Sequence, residues 1–470
     1  MGGFFLLKGK KLYSEIFFNH QMGMAYISFL VQKIAHPQTI YKLVLYHRLL
    51  VFAFSLLWGV FFVLRFKWIG LLFILLFEST KYYVFGDRFL AESFIVYPLV
   101  YLLALFFYKQ EEKAVYQFEY ILAGILTWFV MFMREPYIPL ALLLYAFLIG
   151  KKIKKEHLMS LTLFFSLTGV TLLLTPITDF VRSIFFLNKD LVMLQVGRGG
   201  TSGIGILKIF IYPILIVFQG KWTFFRIVLL LLDGVFLLSL TSRFWQKKNR
   251  LNTLFLLGIL GLASVRFETP GLEYYEAFHT MVWYSMFIFL TLLLLFSEQA
   301  KKIKRLALLL YIIVIVVTFF PRYSFFWDKI NKDELFTVGY GHYFVTGEVI
   351  KTLATPSSTL FLDGYDDLIY WQANSKFSYK YSMYTGLMPS YKPYKDARDD
   401  MIKNYPPDFF YSYCLKNKPE ITSLPVYREI DYERVLFANK PTCLYVKKSL
   451  VPAISQAQKN VIGKFGYSLP

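Results

Sequence analysis

From about residue 41 to residue 321 the chain alternates between long apolar runs and short polar interruptions, and the runs are long enough to cross a hydrocarbon core of about 30 Å. Ten such runs are predicted as spanning helices: 41–64, 67–84, 93–108, 116–133, 136–150, 158–176, 222–242, 251–266, 278–297 and 305–321. The segment "GILKIFIYPILIVF" at 205–218 is too short to be counted with them and is expected at the interface or as a re-entrant piece. Ahead of the first run, the polar and aromatic stretch "LYSEIFFNHQMG" (12–23) leads into "MGMAYISFLVQKIA", whose apolar spacing predicts a helix lying on a membrane surface.

Beyond residue 321 the apolar runs shorten and Asp, Lys, Tyr and Pro become frequent. Strands are expected at 358–364, 408–414, 434–439 and 443–448, with helices at 341–353 and 394–404. The predicted fold is therefore an α-helical polytopic membrane protein of about 10 transmembrane helices with a small C-terminal α/β domain. Its expected organisation is a first outer loop with a surface helix (1–40), a transmembrane domain (41–321) and a soluble extracytoplasmic domain (322–470). No internal repeat or low-complexity segment interrupts this plan.

Composition agrees with the pattern: 56% of residues are hydrophobic and 20% aromatic, and the mean hydropathy is +0.48. The formal charge of +20 would suit a nucleic-acid partner were it spread over a surface. Instead it gathers in short loops: Arg65/Lys67, Lys109/Lys113, "KKIKK" at 151–155, "RFWQKKNR" at 243–250 and "KKIKR" at 301–305. The positive-inside rule assigns these loops to the cytoplasm, and nucleic acid drops out as a partner. With residues 1–40 outside, each basic cluster then falls inside and the C-terminal domain ends outside. No cleavable signal peptide is evident in the opening residues. Of the two cysteines, Cys414 and Cys443, both a disulfide and separate buried thiols are compatible with the sequence, and neither has metal-site spacing.

The chemistry-bearing residues concentrate in the outer loops, 1–40, 85–92, 134–136, 177–221 and 267–277. The first carries Tyr13, Glu15 and His20, and the second, "YYVFGDRFLAESF", carries Asp87, Arg88 and Glu92. Carboxylates at a membrane boundary are costly and so point to function, although Arg88 and Glu92, four apart on a helix, would also suit a simple ion pair. "MREPYIP" sets Arg134 and Glu135 at a hairpin that a snorkelling pair could cap, and "VGRGGTSGIG" offers Arg198 among glycines without a Walker or dinucleotide fingerprint. "VRFETPGLEYYEAFHTMVWY" brings Arg266, Glu268, Glu273, Glu276 and His279, with aromatics that fit an interfacial belt or a sugar platform. Asp233, deep in "LLLLDGVFLL", is expected to face the bundle interior and pair with a base. No cluster has the tight spacing of a divalent-metal site, so no cofactor is indicated, while ligands assembled from separate loops stay open.

In their order, "GKKLYSEIFFNHQMGMAYIS", "YYVFGDRFLAESFIVY", "MREPYIPLALLLY", "RFETPGLEYYEAFHTMVWY" and "FLDGYDDLIYWQANSKFSYKYSMY" make the chain resemble bacterial GT-C membrane glycosyltransferases. These are relatives of protein O-mannosyltransferases and aminoarabinose transferases. The resemblance implies a polyprenyl-phosphate sugar donor, inverting transfer to a lipid, glycan or protein acceptor, and catalysis at the outer face of the plasma membrane. Carried onto this sequence, it matches Glu15 and Glu92 to outer-loop acids, Arg88 and Arg266 to phosphate contacts, and His20 and His279 to polar loop positions. Together with the loop residues above, Glu15, Glu92 and Asp87 become the expected catalytic carboxylates and Arg88, Arg134, Arg198 and Arg266 the expected contacts to donor phosphate. Tyr13, His20, Glu135 and His279 become substrate-binding positions. Two features depart from the family pattern: the span that ends near the usual catalytic acid does not precede "LYSEIFF" here, and no proline follows "NH". The competing readings are a lipid-linked sugar flippase or exporter, which would carry charge through a central cavity, and a catalytically degenerate membrane scaffold.

Overall fold

A computed structural model of the chain describes residues 1–150, 153–193, 224–245, 250–266, 275–297, 301–318, 340–364, 366–383, 385–386, 391–412 and 423–470. It opens with α1 (Gly2–Leu7) and α2 (Gly23–Ala35). An apolar series follows: α3 (Ile40–Phe66), α4 (Trp68–Thr80), α5 (Ala91–Gln110), α6 (Gln117–Met133), α7 (Ile138–Ile149), α8 (Lys155–Leu173), α9 (Phe224–Trp245), α10 (Arg250–Ala263), α11 (Met281–Ser297) and α12 (Lys301–Thr318). The C-terminal part holds α13 (Gly341–Leu353), α14 (Lys392–Asn404) and α15 (Gln456–Gly463). It also holds the strands β1 (Thr359–Leu362), β2 (Lys376–Phe377), β3 (Phe409–Tyr411), β4 (Tyr432–Phe437), β5 (Lys440–Lys447) and β6 (Tyr467–Ser468).

Each of the ten predicted segments overlaps one of these helices. Four helices, Ile40–Phe66, Ala91–Gln110, Lys155–Leu173 and Phe278–Ser297, are long and apolar enough to cross a membrane, among the described residues. Gln117–Met133, Glu135–Ile149 and Leu251–Ala263 are apolar but shorter. The shortening has local causes. The run predicted at 67–84 stops as an α-helix at Thr80, turns through a 3₁₀ segment, Lys81–Val84, and ends on Phe85 in the left-handed region at φ +56°. Likewise, Pro at the first turn of Ile138–Ile149 sets that helix start just after a 3₁₀ turn over Glu135–Tyr137. The short segment at 205–218 lies outside the described residues.

The chain divides into two compact units, Met1–Tyr46 with Pro176–Gly199 and Asn331–Pro470, and His47–Thr175 with Gly200–Ile330. The second unit is helical. Its centre is formed by α5 and α11, which are buried over nearly their whole lengths; helices apolar on every side belong in a core and not at its edge. They pack on each other, and α5 also meets α6 and α7. Gly70 lets α4 close on α3, since a Cβ there would stand 2.1 Å from the Phe62 carbonyl oxygen.

The other unit is built on a six-stranded sheet in the order β2-β1-β3-β5-β4-β6. β1 runs parallel to β2 and β3, and the remaining pairs are antiparallel. The four predicted strands are present, while the two-residue strands β2 and β6 carry no periodic signal of their own.

The opening stretch of the chain belongs to this unit. Phe17 N–H donates to the Ser382 carbonyl and Ser382 N–H to the Glu15 carbonyl, both at 2.9 Å. The Phe17 ring is fully buried in a core with Phe361, Phe410, Tyr379, Tyr394 and Tyr445. The rings of Phe5, Phe377 and Tyr370 pack together beneath β1 and β2. Residues 1–40, predicted as a separate outer loop, thus belong to the sheet-bearing unit, with Phe17 in its core. A helix, α2, does form within the stretch 22–35, with Tyr26, Leu30 and Ile34 exposed along one stripe at four-residue spacing.

Candidate functional site

The two ends of the helical unit differ in chemistry because successive helices reverse direction and bring loops of the same kind together. At one end the basic clusters hold helix termini: Arg65 Nε donates to Glu119 Oε1 at 2.7 Å, and Arg243 reaches Glu111. Lys109 caps the last carbonyls of α7 through Phe147 and Leu148, as a cation at a helix C-terminus should.

At the opposite end three termini converge on one carboxylate. Glu92 sits in the first turn of α5, where the helix dipole favours an anion. Arg134 closes α6, where the dipole favours a cation, and Arg266 follows α10. Glu92 is 1% exposed. Its Oε1 accepts from Arg134 Nε at 2.9 Å and from Arg266 Nη1 at 2.7 Å. A carboxylate withdrawn from water is tolerable only with such pairing. Glu135 stands 3.8 Å from Arg134, and Tyr137, just beyond, donates to the His279 carbonyl at 3.3 Å. His279 is itself buried.

Of the two readings left open for Arg88 and Glu92, the local ion pair does not form, and Glu92 takes these long-range partners instead. Arg88 instead lies over the Phe85 ring, 4.0 Å from its centroid. Asp87 remains a quarter exposed and 3.5 Å from Arg48.

A second polar group at this end was hidden within an apolar run. Lys81 is 4% exposed, and its ammonium lies 2.5 Å from Glu78 Oε2 and 2.9 Å from Ser55 Oγ. Tyr97 Oη donates to the other Glu78 oxygen, and Tyr284 Oη donates to Thr80 Oγ1 at 2.7 Å. The signal available in sequence was Glu78 and Lys81 three apart at the end of "LLFILLFESTKYY". Both lie within the apolar run 67–84, whose hydropathy outweighs two charges.

The remaining predicted positions lie in the sheet-bearing unit, where local roles are evident. Glu15 Oε2 accepts from the Lys11 N–H at 2.9 Å, closing the turn that precedes Phe17. Tyr13, in the left-handed region at φ +66°, donates from its hydroxyl to the His20 carbonyl at 2.9 Å and packs its ring on Phe180. His20 rests edge-on against Phe18. Beside them Asn19 is buried, and its Oδ1 has no hydrogen-bond partner among the described residues. Lys10 donates to the Tyr379 and Lys380 carbonyls at 2.9 and 2.6 Å, and burial pushes its pKa down to about 8 against the pull of Glu15.

Arg198, Glu268 and Glu273 lie outside the described residues, as does the Glu276 side chain. Cys443 is disulfide-bonded, and Cys414, the chain's other cysteine, is outside the described residues. Asp233 is buried as expected, but its Oδ2 meets no basic partner among the described residues. No group of three His, Cys, Asp or Glu side chains suited to a metal ion occurs among the described residues.

The structure therefore joins Glu92, Arg134 and Arg266 into one buried cluster, sets Glu135 against it, and keeps Asp87 accessible beside Arg48. Both arginines present planar guanidinium forks, whose geometry matches phosphate oxygens as well as carboxylate oxygens. No protein-family model matches the chain, and neither a curated protein nor a solved structure is significantly similar to it.

Proposed function

We propose that the chain is a membrane glycosyltransferase of the GT-C kind that uses a polyprenyl-phosphate sugar donor at the outer face of the plasma membrane. The observation that carries this reading is the Glu92–Arg134–Arg266 cluster at the end of the helical unit opposite the basic loops. The positive-inside rule makes the lysine-rich end cytoplasmic and the cluster's end external, with the sheet-bearing unit extracytoplasmic. The exposed stripe of α2, Tyr26, Leu30 and Ile34 beside Lys33, fits a helix resting on lipid.

In this mechanism Arg134 and Arg266, aligned by Glu92, hold the donor phosphate and stabilise the charge that grows on it as the bond to the sugar breaks. The acceptor hydroxyl oxygen attacks the anomeric carbon from the opposite face, the anomeric C–O bond to phosphate breaks, and polyprenyl phosphate leaves. Asp87, accessible and unburdened by a second arginine, takes the hydroxyl proton. Glu92, buried under two cations, serves as a positioning residue. Inversion at the anomeric carbon follows from the single displacement.

The test is transfer from radiolabelled polyprenyl-phosphate sugars by the protein in lipid nanodiscs. Asp87→Asn should lower kcat by roughly 10²–10⁴-fold, the range a positioned acid–base contributes. Glu15→Gln, at the turn that Lys11 closes, should leave most of the rate. Absence of turnover with every donor, or an unaffected Asp87→Asn, sinks the reading.

A further inference from the structure

The sheet-bearing unit contains a cleft of about 350 Å³ where the end of α2, the end of α1 and the turn after the short helix Leu368–Ala373 meet. Its volume lies in the range of small-molecule sites, about 300–1,000 Å³. None of the residues described above as candidates lines it.

Its lining is unusual in three respects. Lys8 and Lys351 bring two ammonium groups and His36 an imidazole, and no carboxylate is among the lining residues. Lys351 is 3.5 Å from Glu348, but Lys8 donates to Asn374 Oδ1 at 2.6 Å and has no carboxylate within ion-pair distance among the described residues. Trp371, half-buried at the wall, is held through its indole N–H, which donates to Gln32 Oε1 at 2.9 Å. That bond fixes the ring in place before any ligand arrives.

Gln372 is likewise held on both sides, accepting from the Ile40 N–H at 3.0 Å and donating to Glu348. His36 and Asn374 both adopt left-handed backbone, at φ +43° and +52°, and both terminate helices there. Helix C-termini carry unsatisfied carbonyls with partial negative charge. Hydroxyl groups can donate to such carbonyls, while the net positive charge must come from the lysines.

A fixed indole, amides, carbonyls that accept from hydroxyls, and two ammonium groups of which Lys8 has no carboxylate beside it among the described residues favour one ligand class. A pyranose offers C–H faces for the negative face of an aromatic ring and hydroxyls for the amides and carbonyls. An anionic substituent offers the charge the lysines lack. We propose that this cleft binds a sugar residue bearing a phosphate or a carboxylate. The inference stands apart from the transferase reading, since it concerns binding at a cleft in the sheet-bearing unit.

The test is saturation-transfer NMR and calorimetry on the full chain in nanodiscs, with glucose 6-phosphate, glucuronic acid, glucose and inorganic phosphate as probes. Both anionic sugars should bind, with glucose and phosphate each at least about tenfold weaker. Lys8→Ala with Lys351→Ala, at two exposed positions, should weaken the anionic sugars roughly tenfold and leave glucose unchanged. Trp371→Leu should weaken all three sugars. Should the loss of the Gln32 bond unfold that variant, the lysine pair still decides the matter. No binding of either anionic sugar, binding indifferent to the lysine change, or phosphate binding as tight as the sugar phosphate would each overturn the proposal. Preference for only one of the two anionic sugars would identify the substituent and leave the proposal standing.

Discussion

At the scale of single residues, the strongest constraint in the helical unit is electrostatic. Glu92 is withdrawn from water and shares one oxygen between two guanidinium groups. Removing its charge takes from both guanidinium groups the oxygen they share, and breaking a buried pair in this way typically costs about 3–5 kcal/mol. Glu92→Gln should therefore unfold at a clearly lower temperature in detergent, and a midpoint equal to the parent's would show that the cluster contributes nothing. Glu92's partners were not legible in the sequence, because Arg88, four residues away, is the local competitor and only tertiary contact selects Arg134 and Arg266.

Titration of His342 gives a second test at this scale. His342 Nε2 lies 2.7 Å from the Tyr411 hydroxyl, with Thr346 and Asp366 near, and burial pushes its pKa below the usual value while Asp366 opposes. The unfolded chain then binds a proton more readily than the folded one, so stability from this site is complete above about pH 6.5 and is lost as pH falls toward the folded pKa. Hydrogen exchange over residues 341–353 should accelerate between about pH 7 and pH 5 beyond the intrinsic rate change. His342→Gln should remove that pH dependence, and its persistence in the variant would rule out His342 as the source.

At the scale of elements, helix positions were readable because apolar runs of the right length are the strongest sequence signal available. Their exact spans were less so. Length alone cannot distinguish a run that crosses from one that ends in a 3₁₀ turn, as at Lys81–Val84, and the buried Glu78–Lys81 pair marks where the apolar reading failed. In the sheet-bearing unit, β1, β3, β4 and β5 were legible as short apolar and aromatic runs bounded by polar residues, whereas β2 and β6 exist only through pairing with longer strands. The incorporation of residues 1–17 into this core was invisible in sequence, since Phe17 and Ser382 are joined only by long-range pairing.

Two substitutions test these packing arguments. Phe17→Ala should destabilise the sheet-bearing unit by about 3–5 kcal/mol, read from hydrogen exchange of β1 and β3. Gly70→Ala should separate α3 from α4 and cost about 1–3 kcal/mol, because the new methyl meets backbone that cannot rotate away. A Gly70→Ala variant as stable as the parent would contradict the close approach.

At the scale of the whole molecule, two units with different chemistry are carried on one chain: an apolar helical unit with distinct polar clusters at its two ends, and a mixed α/β unit that incorporates the first residues. Composition and charge pattern revealed the first at once, and the second only in part. The proposed donor site belongs to the helical unit, and the account depends on its arginines binding phosphate and not merely neutralising Glu92. The direct measurement is the affinity of polyprenyl phosphate for the protein in nanodiscs, compared with Arg266→Gln and with Lys304→Gln, which alters a lysine that reaches the Phe296 carbonyl at the opposite end. The account predicts at least about tenfold weaker binding for Arg266→Gln and no change for Lys304→Gln; equal affinity in all three would contradict it.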